Sequence, residues 1–295
     1  LAGRWPGARA VFDEVDAALG EKLSTLIWDG DAEELTLTRN AQPALMATSV
    51  AAYRALAAEG VTIADAAAVA GHSLGEYSAL TAAGSLALAD TARLLRLRGE
   101  AMQAAVPAGV GAMAAVLGLG IARLEEIAAR AARDTGGVCA AANDNDPGQV
   151  VISGHAGAVG HAIELARAAG ARRAVMLPVS APFHCQLMAP AAAAMAEALD
   201  DVEIAPPAVP LYANVSARPA TDPSEIRALL VDQVCGRVRW RQSVAAMREH
   251  GIGEFWEIGP GKALSGMIRR IDKGAVTRQI ATPEDVEAAV AGLAG

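Results

Sequence analysis

The sequence predicts an α/β protein, a large domain of strands and helices interrupted by a small βαββαβ subdomain. Three observations carry that reading. At 295 residues the chain is long enough for one large domain with an insertion, or for two ordinary domains. A short apolar run over 66–70 passes through Gly71-His72-Ser73-Leu74-Gly75 into a helical run from Glu76, which reads as strand, tight turn and helix. Between Gly109 and Pro178 the apolar pattern changes to short strand-like runs separated by two helical stretches.

Taken in order, apolar residues at helical spacing (Leu45, Met46, Val50, Tyr53, Leu56) predict a helix over 43–58 that stops at Gly60. The buried strand over 66–70 and the turn lead to a helix over 76–83, with Gly84 behind it as a stop signal. A further helix, 90–105, closes at Val106-Pro107. Strand 112–117, helix 121–133, strand 138–142, strand 149–153, helix 157–169 and strand 173–177 follow. That order is the ferredoxin-like split unit, able to close its own sheet. The predicted division is therefore 1–108 with 179–295 as the large domain and 109–178 as the small subdomain. Beyond it come a helix over 188–199, a strand over 209–214, helices near 223–234 and 241–250, a strand over 255–258, the turn Pro260-Gly261 and a helix over 263–271.

With 53% hydrophobic and 20% charged residues, the composition is that of a compact chain rather than a disordered one. A formal charge of −8 argues against binding to nucleic acid or an anionic membrane, which rests on a basic face. The three cysteines, Cys139, Cys185 and Cys235, are odd in number and in no CxxC spacing, which fits a reducing compartment and excludes a zinc ribbon. A cytoplasmic location is expected, with no run of 18 apolar residues and no signal-peptide pattern at the start.

The turn at Ser73 is a GxSxG, in which flanking glycines permit a sharp bend that lifts a serine hydroxyl to the carboxyl edge of a sheet. Ser73 then stands at a helix N-terminus, where free N–H groups stabilise a developing oxyanion, the Leu74 amide among them. Such a serine needs a base, and the chain has five histidines. His72 is adjacent, so its side chain diverges from that of Ser73. His161 and His250 fall in helical stretches and His155 in a polar turn. His184 stands in the irregular segment Pro178-Val179-Ser180-Ala181-Pro182-Phe183-His184 that rejoins the large domain, and is the best base. Cys185 beside it reads as a buried structural thiol. No acid stands out to complete a triad, and a backbone carbonyl could orient the imidazole instead.

These blocks together make the chain similar to the malonyl-CoA:acyl carrier protein transacylases, a family related to the acyltransferase domains of polyketide synthases. Gly71-His72-Ser73-Leu74-Gly75-Glu76-Tyr77-Ser78-Ala79-Leu80 resembles the family's nucleophile block, and Arg98-Gly99-Glu100-Ala101-Met102-Gln103 its arginine block. Pro178 to Cys185 resembles the histidine block; Asn143, Pro147-Gly148-Gln149-Val150-Val151 and Glu257-Ile258-Gly259-Pro260-Gly261-Lys262 are further signatures. The likeness runs from about Pro6 to past Arg270.

The resemblance implies a hydrolase-like large domain with a parallel sheet and a nucleophile elbow, the active site lying in the cleft beside the subdomain. It implies that Ser73 takes the acyl group as an ester, that His184 is the base, and that the main-chain carbonyl of Gln233 holds the histidine. It further implies that Arg98 pairs with the free carboxylate of malonate, which suits a planar, bidentate guanidinium. His72 and Asn143 join the substrate-binding side. Phe183 resembles the aromatic that malonyl-selective members carry, where a ring would crowd an α-methyl group. The implied partners are a coenzyme A thioester and an acyl carrier protein, in fatty-acid or polyketide synthesis, with no metal or redox cofactor needed. Carrier docking on an acidic protein needs a local basic surface, for which Lys262, Arg269, Arg270 and Lys273 are the candidates.

The family opens with a strand and Gly-Gln-Gly-Ser-Gln, whose first glutamine gives a backbone amide to the oxyanion hole, and nothing like it precedes Leu1. The preferred expectation is that the given chain lacks its true start. The alternatives are a serine hydrolase or thioesterase with the same elbow, or an inactive scaffold.

Overall fold

The computed structural model describes residues 1–179 and 181–293; Ser180, quoted within the histidine block, and the last two residues of the predicted large domain lie outside the described residues. The chain opens with helices α1 (Pro6–Leu19), α2 (Leu23–Asp29), α3 (Ala32–Thr36) and α4 (Thr38–Ala58), then β1 (Val69–Ala70), α5 (Gly75–Ala82) and α6 (Leu88–Ala104). Next come β2 (Gly111–Leu117), α7 (Ile121–Thr135), β3 (Cys139–Asp146), β4 (Gln149–His155), α8 (Ala156–Ala168) and β5 (Arg173–Met176). The remainder is α9 (Ala189–Asp200), β6 (Leu211–Tyr212), β7 (Pro219–Ala220), α10 (Pro223–Cys235), α11 (Trp240–Glu249), β8 (Glu254–Ile258), α12 (Ala263–Ile271), β9 (Val276–Ile280) and α13 (Pro283–Leu293).

Strands β2 to β5 form an antiparallel sheet in the order β3-β4-β2-β5. Alternation gives it two apolar faces. Ala114, Val116, Val150 and Ile152 meet Leu124 of α7 and Val159 of α8 on one side. Met113, Ala115, Ala142 and Val151 meet Phe183 on the other. The largest core lies elsewhere, where α4 packs against α1 and α6, and α6 against α9, around side chains such as Leu56, Leu80, Leu95 and Met195.

The structure departs from the sequence reading in several places. The parallel sheet expected of the large domain is present only as short pieces. β1 is two residues long, pairs in parallel with β6, and β6 pairs antiparallel with β7, while β8 and β9 form a separate parallel pair. The strand predicted over 66–70 shortens because a 3₁₀ turn, Ile63–Asp65, leads into it and only Val69 and Ala70 meet β6. Helix α4 begins at Thr38 and carries Pro43 inside it, five residues ahead of the predicted start. Tertiary packing overrides the proline here: a Cβ at Gly99 would lie 2.5 Å from Arg39 Cα, so α6 rests directly on this first part of α4. Strand β3 continues four residues past the predicted end at Ala142, through Asn143-Asp144-Asn145-Asp146. These polar residues are buried because they have partners. Arg241 Nη2 lies 2.8 Å from Asp144 Oδ2, and Arg270 Nε lies 2.7 Å from Asp146 Oδ2. Asn143 also bridges in parallel to Val238, which ties the edge of the four-stranded sheet to the rest of the molecule.

Candidate active site

The bend between β1 and α5 is built from Gly71 and Ser73. A Cβ at Gly71 would lie 1.9 Å from the carbonyl oxygen of Gly75, so only glycine fits there. Gly75 is not held to glycine by space: a Cβ there meets nothing within 4 Å. Ser73 has φ of +53°, a left-handed conformation costing about 1–3 kcal/mol for a side chain of this kind. Asn214, just after β6, holds the bend. Its Oδ1 accepts from Ser73 N at 2.7 Å and its Nδ2 donates to Gly71 O at 2.6 Å, closing the turn from both sides. Leu74 is the residue just before α5, so its amide lies at the helix N-terminus beside the serine.

The serine meets the histidine chosen from sequence. Ser73 Oγ and His184 Nε2 are 2.8 Å apart, and His184 Nδ1 lies 2.9 Å from the carbonyl oxygen of Gln233. A carbonyl only accepts, so Nδ1 carries the hydrogen and Nε2 presents its lone pair to the serine hydroxyl. His184 also has positive φ, +59°. Burial, and then the positive charge of Arg98, push its pKa down to about 3, so it is neutral at neutral pH. The other histidines are engaged elsewhere. His155, which ends β4 rather than lying in a turn, accepts from Val138 N at 2.8 Å, His161 meets Asp134, and His250 meets Tyr212 Oη. Cys185 is buried, its thiol donating to Pro182 O at 3.2 Å, and burial raises its pKa.

Arg98 on α6 is 1% exposed. Its Nη2 donates to Ser73 Oγ at 3.1 Å and to Gln233 Oε1 at 2.7 Å, and its Nη1 donates to Gln42 Oε1 at 2.6 Å. No carboxylate pairs with it directly among the described residues, and its Nε has no partner. Burial lowers its pKa. Its direct hydrogen-bond partners are all neutral, the charge of Glu76 acting on it without a direct contact, and such a buried guanidinium is costly unless an anion comes to it.

The remaining predicted residues are placed differently. His72 is half-buried, its Nε2 donating to Asn145 Oδ1 at 2.9 Å and its ring 5.9 Å from that of Trp240, and burial lowers its pKa. Phe183 is half-buried between the four-stranded sheet and the main core. Asn143 is buried on β3, and no hydrogen bond joins it to Ser73, His184 or Arg98 among the described residues. Asn145, two residues on, makes the contact with His72 in the turn, because β3 stays extended past Ala142.

Sequence reasoning missed Gln42, Glu76, Asn145 and Asn214. Glu76, in the first turn of α5, is fully buried and accepts from Asn214 N at 3.1 Å and from Gln233 Nε2. It lies inside the quoted GHSLGE block, so a charged residue three positions past Ser73 was the available signal. Asn214 and Gln42 carry no motif of their own.

The chain is similar to known proteins over nearly its whole length. The family model described as acyl transferase domain matches residues 3–283. The chain belongs to that family. A Bacillus subtilis protein named malonyl CoA-acyl carrier protein transacylase is 46% identical over 285 residues, covering 97% of this chain and 89% of that protein. The crystal structure of an acyl-carrier-protein-S-malonyltransferase from Bartonella henselae superposes with a TM-score of 0.96 at 53% identity, over 99% of this chain and 93% of that one. A malonyl-transacylase solved in complex with its type II PKS acyl-carrier protein superposes at 0.95 with 38% identity, over 99% and 93%. Among the described residues, no helix is long and apolar enough to cross a membrane.

Proposed function

We propose that the protein transfers malonyl from malonyl-CoA to the phosphopantetheine thiol of an acyl carrier protein, through an ester on Ser73. The observation that carries this reading is the buried guanidinium of Arg98, without a carboxylate partner and 3.1 Å from the nucleophile's oxygen. A malonyl group esterified at Ser73 brings its free carboxylate within reach of that guanidinium, and an uncharged acyl group does not.

The steps follow from the geometry. Ser73 Oγ–H gives its proton to His184 Nε2 as Oγ attacks the thioester carbonyl. The Leu74 amide, at the N-terminus of α5, donates to the oxyanion. His184 returns the proton to the departing coenzyme A sulfur, and the malonyl-Ser73 ester remains. The carrier thiol then enters, gives its proton to His184, attacks the ester, and leaves as the malonyl thioester while Ser73 recovers the proton. The Gln233 carbonyl keeps the imidazole in the required tautomer throughout. A carboxylate on Arg98 also offsets the like-charge repulsion that depresses His184, so the charged substrate restores strength to its own base. Phe183 packs beside the base and favours malonyl over an α-methyl analogue. These residues supply nucleophile, base, oxyanion donor and anion site, so the reading assigns no metal or redox cofactor.

The same reading takes 109–178 as a ferredoxin-like subdomain inserted into a hydrolase-like domain formed by 1–108 and 179–295, with Ser73 on a nucleophile elbow. The β3-β4-β2-β5 order, the separate cores and the positive φ of Ser73 support it. A cytoplasmic location fits cysteines that are all free thiols.

The test is Arg98→Ala, assayed for acyl-enzyme formation with malonyl-CoA and acetyl-CoA. Malonyl loading should fall and the malonyl-to-acetyl preference should collapse or invert, since only malonyl loses its partner. A variant that kept the wild-type preference would remove Arg98 from the acyl site.

A further inference from the structure

We propose that Glu76 is a positioning residue that sets which way the Gln233 amide faces, and thereby holds Arg98 in place for an anionic acyl group. The proposal rests on the reading of Arg98 as the malonate-binding residue.

Both Glu76 oxygens face donors. Asn214 N, a backbone N–H with no freedom to reverse, points at Oε1, and Gln233 Nε2 points at Oε2. An ionised carboxylate accepts on both sides, so Gln233 must present its NH₂ to Glu76. That choice fixes the rest of the amide. The same Nε2 donates to Ser73 O at 2.9 Å, and Oε1 is left facing Arg98 Nη2 at 2.7 Å. One carboxylate therefore controls two contacts around the nucleophile through a single neutral side chain.

A protonated Glu76 keeps its carbonyl oxygen as the strong acceptor and gains an O–H donor on the other oxygen. The acceptor stays with Asn214 N, and the donor faces the Gln233 NH₂, so the amide must reverse and turn its NH₂ toward the guanidinium. Arg98 then loses an acceptor, and Ser73 O loses a donor. Glu76→Gln carries the same acceptor-donor pair permanently and reproduces this state without titration.

The window is set by burial, which pushes the Glu76 pKa up to about 7 against the opposing pull of Gln233, Asn214 and Arg98. The other charged or titratable groups of the site do not titrate there. His184 remains neutral down to about 3, burial holds His72 below its ordinary range, Tyr77 is pushed up to about 12, and Arg98 stays charged. The free carboxylate of malonyl is ionised well below this window. Glu76 is thus charged above about pH 7 and neutral below it, and malonyl selectivity is full on the alkaline side.

The experiment measures the ratio of malonyl to acetyl loading of Ser73 by intact mass between pH 6 and 8.5, in wild type, Glu76→Gln and Gln233→Leu. In wild type the ratio should fall as pH drops through 7. In Glu76→Gln it should be low and flat, by about tenfold or more relative to wild type at pH 8, the scale of one charge-assisted hydrogen bond. Gln233→Leu keeps the backbone carbonyl and removes the relay, so it should also abolish the pH dependence, and it serves if Glu76→Gln does not fold. A wild-type ratio constant across the range, or a folded Glu76→Gln with the wild-type ratio and profile, overturns the proposal. If Arg98→Ala collapses the preference while Glu76→Gln leaves it intact, the relay fails and the malonate site stands.

Discussion

The four-stranded sheet and the region of the turn at Ser73 are built by opposite means. In the sheet, β2 pairs with β4 over seven residues, the side chains alternate between two apolar faces, and a core of Ala, Val, Leu and Ile follows from that alternation. At the turn, β1 and β6 pair over two residues only, and the burial is polar: Arg98, Glu76, Gln233, Asn214 and His184 are all buried. Three non-glycine residues have positive φ among the described residues, and two of them are Ser73 and His184. Periodic apolar burial makes a scaffold in which local change costs stability rather than chemistry. A strained turn closed by hydrogen bonds makes a site in which each group depends on its neighbour.

Substitutions can break this contrast, and the largest effect is expected around the turn at Ser73. Ser73→Ala should abolish the malonyl-enzyme altogether, and His184→Ala should slow both loading and unloading by about 10²–10⁴-fold, because one base serves both. Persistent mass labelling of Ser73→Ala by malonyl-CoA would place the nucleophile elsewhere. Stability should show the reverse pattern. Ile152 is fully buried in the sheet, between Ala114 and Ala141 on the neighbouring strands, and Ile152→Ala should cost about 2–5 kcal/mol. Its malonyl-to-acetyl ratio should stay unchanged in the folded fraction, and a shifted ratio would mean that the sheet core reaches the acyl site.

The smallest effect is expected at the surface. The basic group near α12 is thinner than its sequence suggests: Arg270 is taken up by Asp146, and Arg269 donates to Thr277 Oγ1 at 2.6 Å. Lys262 and Lys273 are exposed. Charge reversal at Arg269 and Lys273 should raise the KM for the carrier protein severalfold at low salt, while Ser73 loading from the coenzyme A thioester is unchanged. An unaltered carrier KM at low ionic strength would exclude this face from docking.

The sequence by itself determined the regular elements and the chemistry-bearing motifs. Spacing placed α12 over 263–271 as observed and the strands of the small sheet within a few residues at most ends, because alternation and helical period are local properties. The GxSxG and the irregular segment before His184 singled out two residues 111 positions apart that meet at 2.8 Å. What only the tertiary structure decided is polar and long-range. Gln42 contacts Arg98 because α6 lies against the start of α4, where Pro43 argues locally against a helix. The strand β3 runs on through Asp144 and Asp146 because arginines from α11 and α12 reach them. Glu76 and Asn214 stand 138 residues apart and carry no spacing signal. A buried carboxylate or amide is tolerated only where its donors and acceptors are supplied, and those partners come from elements that the chain brings together only on folding.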